Sequence, residues 1–183
     1  LNEKELASTF LIKFSRLIRI YLEHSKKSYV TIGEELKALR IYLELEKNRF
    51  EDLLDYSIDI DDKIDLTNVK VPSLFIQPYV ENALKHGLLH KKRDRELKLK
   101  FELNKTTDVL KCIIEDNGIG VNASKKLNEK KRPHHKSFAT SANKKRVKLL
   151  NTNRKNKIKI DIVDLTQDDK TGTKVIITMP LEQ

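Results

Sequence analysis

Three short stretches hold the groups in this sequence that could do chemistry. The first, "IEDNGIG" at residues 114–120, sets Glu115, Asp116 and the amide of Asn117 beside Gly118 and Gly120, directly after an apolar run. It leaves an aspartate at a strand edge between flexible residues, yet no Gly-Lys-Ser/Thr phosphate loop occurs anywhere in the chain. The second, "IQPYVENALKHG" at 76–87, reads as a helix on which Glu81 and Lys85 share a face, as do Asn82 and His86. Asn82 can then face a ligand while Tyr79, Val80, Ala83 and Leu84 help fill the core. Pro78, which lacks an N–H, should start or kink that helix, and Gly87 is placed to end it. The third, "DKTGTKVIITMP" at 169–180, puts Gly172 and Thr173 at the entry to an apolar strand. Alone, these are an amphipathic helix and two turns.

The elements that must position them follow from periodicity. Residues 4–25 predict a helix with Phe10, Phe14, Leu17 and Tyr21 on one stripe, expected to pack on another helix, including one from a second subunit. "TIGEEL" carries a capping box, Thr31 with Glu34, and Leu36, Leu39, Leu43 and Phe50 give the helix after it a buried side. From about residue 54 the period changes to two. "DYSIDI", "ELKLKFEL" and "KIKIDIV" alternate apolar and polar positions, the last through Ile158, Ile160 and Ile162. "VLKCIIE" and "KVIITMP" are more continuously apolar and should lie centrally. Helical segments at 73–87 and 140–151 fall between strands, and the Lys-rich stretch 122–137 reads as a mobile loop. The predicted fold class is α/β (α+β), a two-layer sandwich with a mixed, mostly antiparallel sheet, preceded by a helical segment.

Composition narrows the partners. With 38% hydrophobic and 35% charged residues the sequence reads as globular, and no run approaches the length of a membrane span. The single Cys112 cannot pair within the chain, which suits a reducing, cytosolic compartment. Opening on Leu1 rather than Met, the sequence reads as an excerpt from a longer protein. The net charge of +10 favours anionic partners. Between Val121 and Arg154 there are eleven Lys/Arg against one acid, Glu129. Nucleic acid is not expected, because no RNP motif, helix-turn-helix signature or aromatic platform accompanies the charge.

Taken in order, the Glu81-Asn82 helix, two strands, Asp116-x-Gly118-x-Gly120, a basic segment, a helix and the Gly172-Thr173 strand entry resemble the ATP-binding domain of the gyrase, Hsp90-type, histidine kinase and MutL superfamily. With "FSRLIRIYLEHS", "EELKALRIYLELEKNRF", "PSLFIQPYVENALKHG" and "EDNGIG", the chain looks like the LytS-type sensor histidine kinases over nearly its whole length. The resemblance implies the Bergerat-type ATPase fold, with residues 1–30 as the last helix of a dimerisation and phosphoacceptor region and 31–183 as the ATP-binding domain. It implies that Asp116 accepts a hydrogen bond from the adenine amine, with Gly118 and Gly120 letting the backbone approach the purine. Asn82 would ligate Mg²⁺ and Glu81 would orient or activate the attacking group. Lys85 and His86 would lie near the phosphates, Gly172 and Thr173 would support the aspartate, and Lys136 and Arg146 are candidates for holding a polyphosphate.

The implied function is a two-component sensor kinase: ATP and Mg²⁺ bind, and the γ-phosphoryl group passes to a histidine upstream and then to a response regulator. The implied setting is a cytoplasmic domain of a homodimer anchored in a bacterial membrane. Two departures matter. "SFATSANKKRV" has Ala139 where related kinases place glycine, and no P-H-F-L-F-N phosphoacceptor stretch occurs. His24 does not match that stretch and reads as a surface histidine; His90, His134 and His135 read as loop residues. A nucleotide-binding interaction module without turnover therefore stays open as the alternative.

Overall fold

The computed structural model describes residues 3–50, 53–131, 138–152, 154–167 and 170–181. The chain forms two compact units, one of Leu1–Leu54 with Asp65–Gln77 and one of Asp55–Ile64 with Pro78–Gln183.

The first unit holds helices α1 (Glu3–Ser25) and α2 (Ile32–Arg49), with strands β1 (Tyr29–Thr31) and β3 (Lys70–Pro72) paired antiparallel. α2 starts where the capping box requires. Thr31 Oγ1 accepts from the Glu34 amide at 3.1 Å, and the Glu34 carboxylate accepts from the Thr31 amide at 2.8 Å. Leu36, Leu39, Leu43 and Phe50 are buried as their spacing predicts. On α1 only part of the stripe is covered: Leu17 is buried, whereas Phe10 and Phe14 stack on each other yet remain 40% and 46% exposed. His24 is a correction. It is 3% exposed, not a surface residue, and burial holds its pKa below the ordinary histidine value. The cause is tertiary. The Ser73 hydroxyl donates to the His24 carbonyl at 2.6 Å, closing the segment after β3 over the last turn of α1.

Glu35 is also buried, and its carboxylate accepts from the amides of Leu74 at 3.1 Å and Ile76 at 3.2 Å. Leu74 has φ of 51°, a conformation costly for a side-chain-bearing residue, and these bonds hold it there.

The second unit is a sheet in the order β2-β4-β5-β7-β6, with β2 (Leu54–Ile60), β4 (Arg95–Asn104), β5 (Val109–Asp116), β6 (Lys159–Asp164) and β7 (Thr173–Pro180). The β4–β5, β5–β7 and β6–β7 ladders are antiparallel. On one face Phe101, Cys112 and Ile177 form one cross-strand row, and Leu99, Ile114 and Val175 the next. All six are buried. Helix α3 (Gln77–Asn82) and the wide π-type turn Ala83–Gly87 after it bury Tyr79, Val80, Ala83 and Leu84. The other face is wet and lined by ion pairs such as Lys98–Glu96 and Lys174–Glu115. This is the expected two-layer α/β architecture with a mostly antiparallel sheet.

Three local expectations change. The helix expected over 73–87 begins at Gln77, because Leu74 turns out of helical φ. The stretch expected as a loop at 122–137 begins as helix α4 (Val121–Lys131), and 132–137 lie outside the described residues. α5 then spans Phe138–Leu150. On edge strand β6 the alternation does not bury every apolar position, since Ile162 is 52% exposed.

Glu35→Ala should lower the unfolding free energy by about 2–4 kcal/mol, because two amides lose a charged acceptor in a buried setting. Urea unfolding measures this, and Glu35→Gln, which keeps one acceptor oxygen, should cost less.

Candidate functional site

The sheet's buried face is apolar until its last row. There Leu97 of β4, Asp116 of β5, Thr173 of β7 and Asp164 of β6 stand in register. Side chains alternate along a strand, so Asp116 points to the same side as Ile114 and Cys112, among the helices and not into water. It is only 4% exposed. Its Oδ1 accepts from the Gly118 amide at 2.9 Å, and the Thr173 backbone amide donates to the same carboxyl group. Burial pushes its pKa up to about 6; the two amide bonds pull the other way, and the charges of Glu115 and Asp164 add to the rise.

Glycines close around this carboxylate because nothing larger fits. A Cβ on Gly87 would lie 2.6 Å from Asp116 Oδ1, and one on Gly118 would strike the Gly87 backbone. A Cβ on Gly172 would strike the Asp116 carbonyl oxygen. Gly87 ends the π-type turn, as its place in the sequence predicts, but its φ of −94° is open to any residue. Contact with Asp116 is what demands a glycine there. Gly120 differs, with φ of +82°, a conformation that favours glycine outright.

Asn117 fixes the turn, and sequence reasoning assigned it no role. Its Oδ1 accepts from the Glu96 amide at 2.9 Å and its Nδ2 donates to the Asp94 carbonyl at 2.8 Å. The side chain thereby adds a rung between β5 and β4 just past the end of the ladder. Lys91 Nζ donates to the Asn117 carbonyl at 3.1 Å. The only trace of this in the sequence is an amide beside the acid.

The helical side of the site is looser. Glu81 and Lys85 form an ion pair at 2.8 Å along one face. Asn82 is half-buried and its side chain does not cap the turn that follows. It therefore offers an amide oxygen, a hard donor of the kind Mg²⁺ prefers. His86 has its pKa lowered by burial, then by His90 and Lys85, so its neutral form prevails at neutral pH. Arg146 on α5 is half-buried and interacts electrostatically with Tyr79, whose hydroxyl burial pushes up to about 12. Lys136 lies outside the described residues, as do His134 and His135. Among the described residues no cluster of three His, Cys, Asp or Glu could hold a metal. A cation here would depend on Asn82 and on oxygens brought by a ligand. A separate cavity of about 570 Å³ opens at the β4–β5 turn, beside Lys105, Thr106 and Thr107, at the opposite end of β5 from Asp116.

Comparison with known proteins gives concordant matches. The family profile described as Histidine kinase matches residues 1–54. A Sensor histidine kinase/phosphatase LytS of Staphylococcus aureus strain MRSA252 is 33% identical over 121 residues, which are 66% of this chain and 20% of that protein. The LytS of strain Mu50 is 32% identical over the same length and shares. The match thus spans about a fifth of the length of these relatives. Among solved structures, the histidine kinase domain of the blue-light activated kinase EL346 from Erythrobacter litoralis aligns with TM-score 0.58 at 17% identity. That alignment covers 94% of this chain and 75% of that one. The Acinetobacter baumannii histidine kinase AdeS aligns with TM-score 0.55 at 14% identity, covering 100% and 82%. The histidine kinase ThkA, solved in complex with the response regulator protein TrrA, aligns with TM-score 0.54 at 16% identity over 96% and 49%. At such identities the structures establish the fold. No described helix is long and apolar enough to cross a membrane.

The raised pKa of Asp116 fixes the sign of a pH effect on stability. Its folded-state value near 6 exceeds the ordinary 3.8, so the folded protein binds the extra proton and this residue's contribution falls as pH rises between those values. Relative to Asp116→Asn, the wild type should lose about 2–3 kcal/mol of unfolding free energy between pH 4 and pH 7. Paired urea melts at the two pH values measure the difference.

Proposed function

We propose that the chain is a histidine kinase of the LytS type, with the gyrase, Hsp90-type and MutL ATPase fold, and that it binds ATP with Mg²⁺ as the catalytic domain of a two-component sensor kinase. The observation that carries this reading is the buried Asp116 carboxylate in its glycine cradle. A buried acceptor held by two amides still has lone pairs to offer. An amine on a flat ring satisfies one of them without bulk, which the tight approach of Gly87 and Gly118 requires.

In this reading Asp116 takes the hydrogen bond from the adenine amine, and Gly172 with Thr173 hold it through the Thr173 amide. Gly118 and Gly120 give the purine access. Asn82 would hold Mg²⁺ through its amide oxygen, and the cation supplies charge neutralisation at the phosphates. Glu81 orients or activates the attacking group, which requires it to leave its ion pair with Lys85. Lys85 then becomes available to the phosphates, beside His86, with Lys136 and Arg146 as further polyphosphate contacts. The γ-phosphoryl group passes to a histidine upstream in the polypeptide and on to a response regulator. Homodimerisation through α1 is supported by its exposed Leu11, Phe14 and Ile18, and the domain works at the cytoplasmic side of a membrane anchor.

A second reading, nucleotide binding without turnover, is favoured by one feature, Ala139 where related kinases place glycine. Alanine disfavours the positive φ that a phosphate-wrapping backbone uses.

Titration with ADP tests the shared premise. Asp116→Asn should weaken binding by about 10–100-fold, the worth of a hydrogen bond to a charged group. The wild-type affinity should also fall as pH drops below about 6, because protonation removes the charge that strengthens the acceptor, while the variant stays flat. Unchanged binding in Asp116→Asn would exclude the adenine assignment.

Turnover needs its own assay. A chain extended upstream through its phosphoacceptor histidine should acquire acid-labile phosphate from ATP. An extended chain that binds ATP and never labels, yet labels with Ala139→Gly, would establish the second reading.

A further inference from the structure

Helix α4 begins directly after the Gly118–Gly120 turn, and its N-cap residue is Gly120, whose carbonyl accepts the first helical bond from the Ser124 amide at 3.1 Å. A glycine cap has no side chain to satisfy the orphan amides of the first turn. Asp164, 44 positions later on edge strand β6, fills that role: its Oδ2 accepts from the Asn122 amide at 2.9 Å. Its Oδ1 accepts from the Thr166 amide at 2.9 Å, so one carboxylate ties the helix start to the β6–β7 connection. Gly120 is wedged between these groups, since a Cβ there would lie 2.5 Å from Thr166 Oγ1 and 2.9 Å from Asp164 Oδ1.

The placement is not incidental to the site. Asp164 pairs with Thr173, which pairs with Asp116, so the two aspartates stand in one row of the sheet, two strand spacings or roughly 10 Å apart. Hydrogen bonds from Thr166, foremost its hydroxyl, and from Asn122 hold the Asp164 carboxyl below the ordinary range, so it is charged at neutral pH. A negative charge at a helix N-terminus is favourable in its own right.

The geometry points to Asp164 as a positioning residue: an N-cap supplied from β6 that fastens α4 and thereby sets the Gly118–Gly120 turn beside Asp116. Its bearing on nucleotide rests on the function proposed above; the fastening itself does not. The contact that fastens α4 runs from the Asn122 amide to one carboxylate oxygen, so the conservative amide, which keeps one acceptor oxygen, can replace it there where alanine cannot.

Hydrogen exchange on the ligand-free chain reads the fastening directly. Asp164→Ala should speed exchange of the Asn122 amide on the order of fivefold or more, as the loss of an N-cap does, while amides within β5 and β7 stay as in the wild type. Asp164→Asn, which keeps an acceptor oxygen, should rescue Asn122 protection. ADP titration at pH 8, where Asp116 is ionised in all three proteins, should show a several-fold weaker Kd for Asp164→Ala and recovery with Asp164→Asn. Unchanged exchange at Asn122 in Asp164→Ala overturns the inference. So does faster exchange with undiminished ADP affinity, because the fastening would then not bear on the site. If the wild type fails to bind ADP, the functional reading falls, and the exchange data alone decide whether Asp164 fastens α4.

Discussion

A buried carboxylate has few tolerable surroundings, and Asp116 sits in one of them. Burial lifts its pKa to about 6, so ionisation at neutral pH is costly, and the offsetting groups are fixed backbone amides of Gly118 and Thr173. Fixed amides need a fixed backbone. Much of the second unit can be understood as supplying it: β7 aligns Thr173 opposite Asp116, Asn117 ties the turn to β4, and Gly172 lets the two strand ends meet at the Asp116 carbonyl. A buried charge without such partners would protonate. In the proposed function, a protonated carboxyl would be a weaker acceptor for an amine than the charged one.

The same requirement explains the distribution of glycine better than turn formation does. Gly87 ends a π-type turn in an ordinary backbone conformation, so neither flexibility nor helix termination calls for it. Proximity does. The wide turn brings the Gly87 backbone against Gly118 and the Asp116 carboxylate, leaving no volume for a methyl group. Sheet, turn and helix end thus converge on one oxygen pair, and the apolar rows behind it, from Ile114 and Cys112 onward, keep that end of the sheet dry.

Periodicity and capping made most of this fold legible in the sequence. Strands β4, β5 and β7 announce themselves through alternation or apolar runs, and Thr31 with Glu34 marks the start of α2 to the residue. The acid and glycines of 116–120 were conspicuous as residue types, and their family resemblance suggested roles that geometry alone does not assign. What stayed hidden depends on contacts remote in sequence. His24 is buried because Ser73 closes over its turn, and Leu74 leaves helical φ while its amide binds Glu35. Asp164 ended a strand like any other aspartate until the sheet register put it opposite Thr173 and within reach of the Asn122 amide. The α4 stretch misled for a different reason. Its lysines and asparagines lack an apolar stripe, and its cap sits on another strand.

The two ends of the proposed site are built from different materials, and that difference bears on specificity and turnover separately. The end around Asp116 is backbone and sheet, so its hydrogen-bond geometry exists before any ligand arrives. The end around Asn82 is made of side chains on a helix: Lys85 is committed to Glu81, and His86 is held neutral by burial and by the neighbouring charge. In the proposed function, cations for a triphosphate must come from groups that leave their present partners, as Lys85 would leave Glu81. Recognition of a base can survive substitutions that abolish phosphoryl transfer, because the two draw on separate elements. In the proposed function, base recognition at the Asp116 end can therefore persist whether or not the Asn82 end turns nucleotide over.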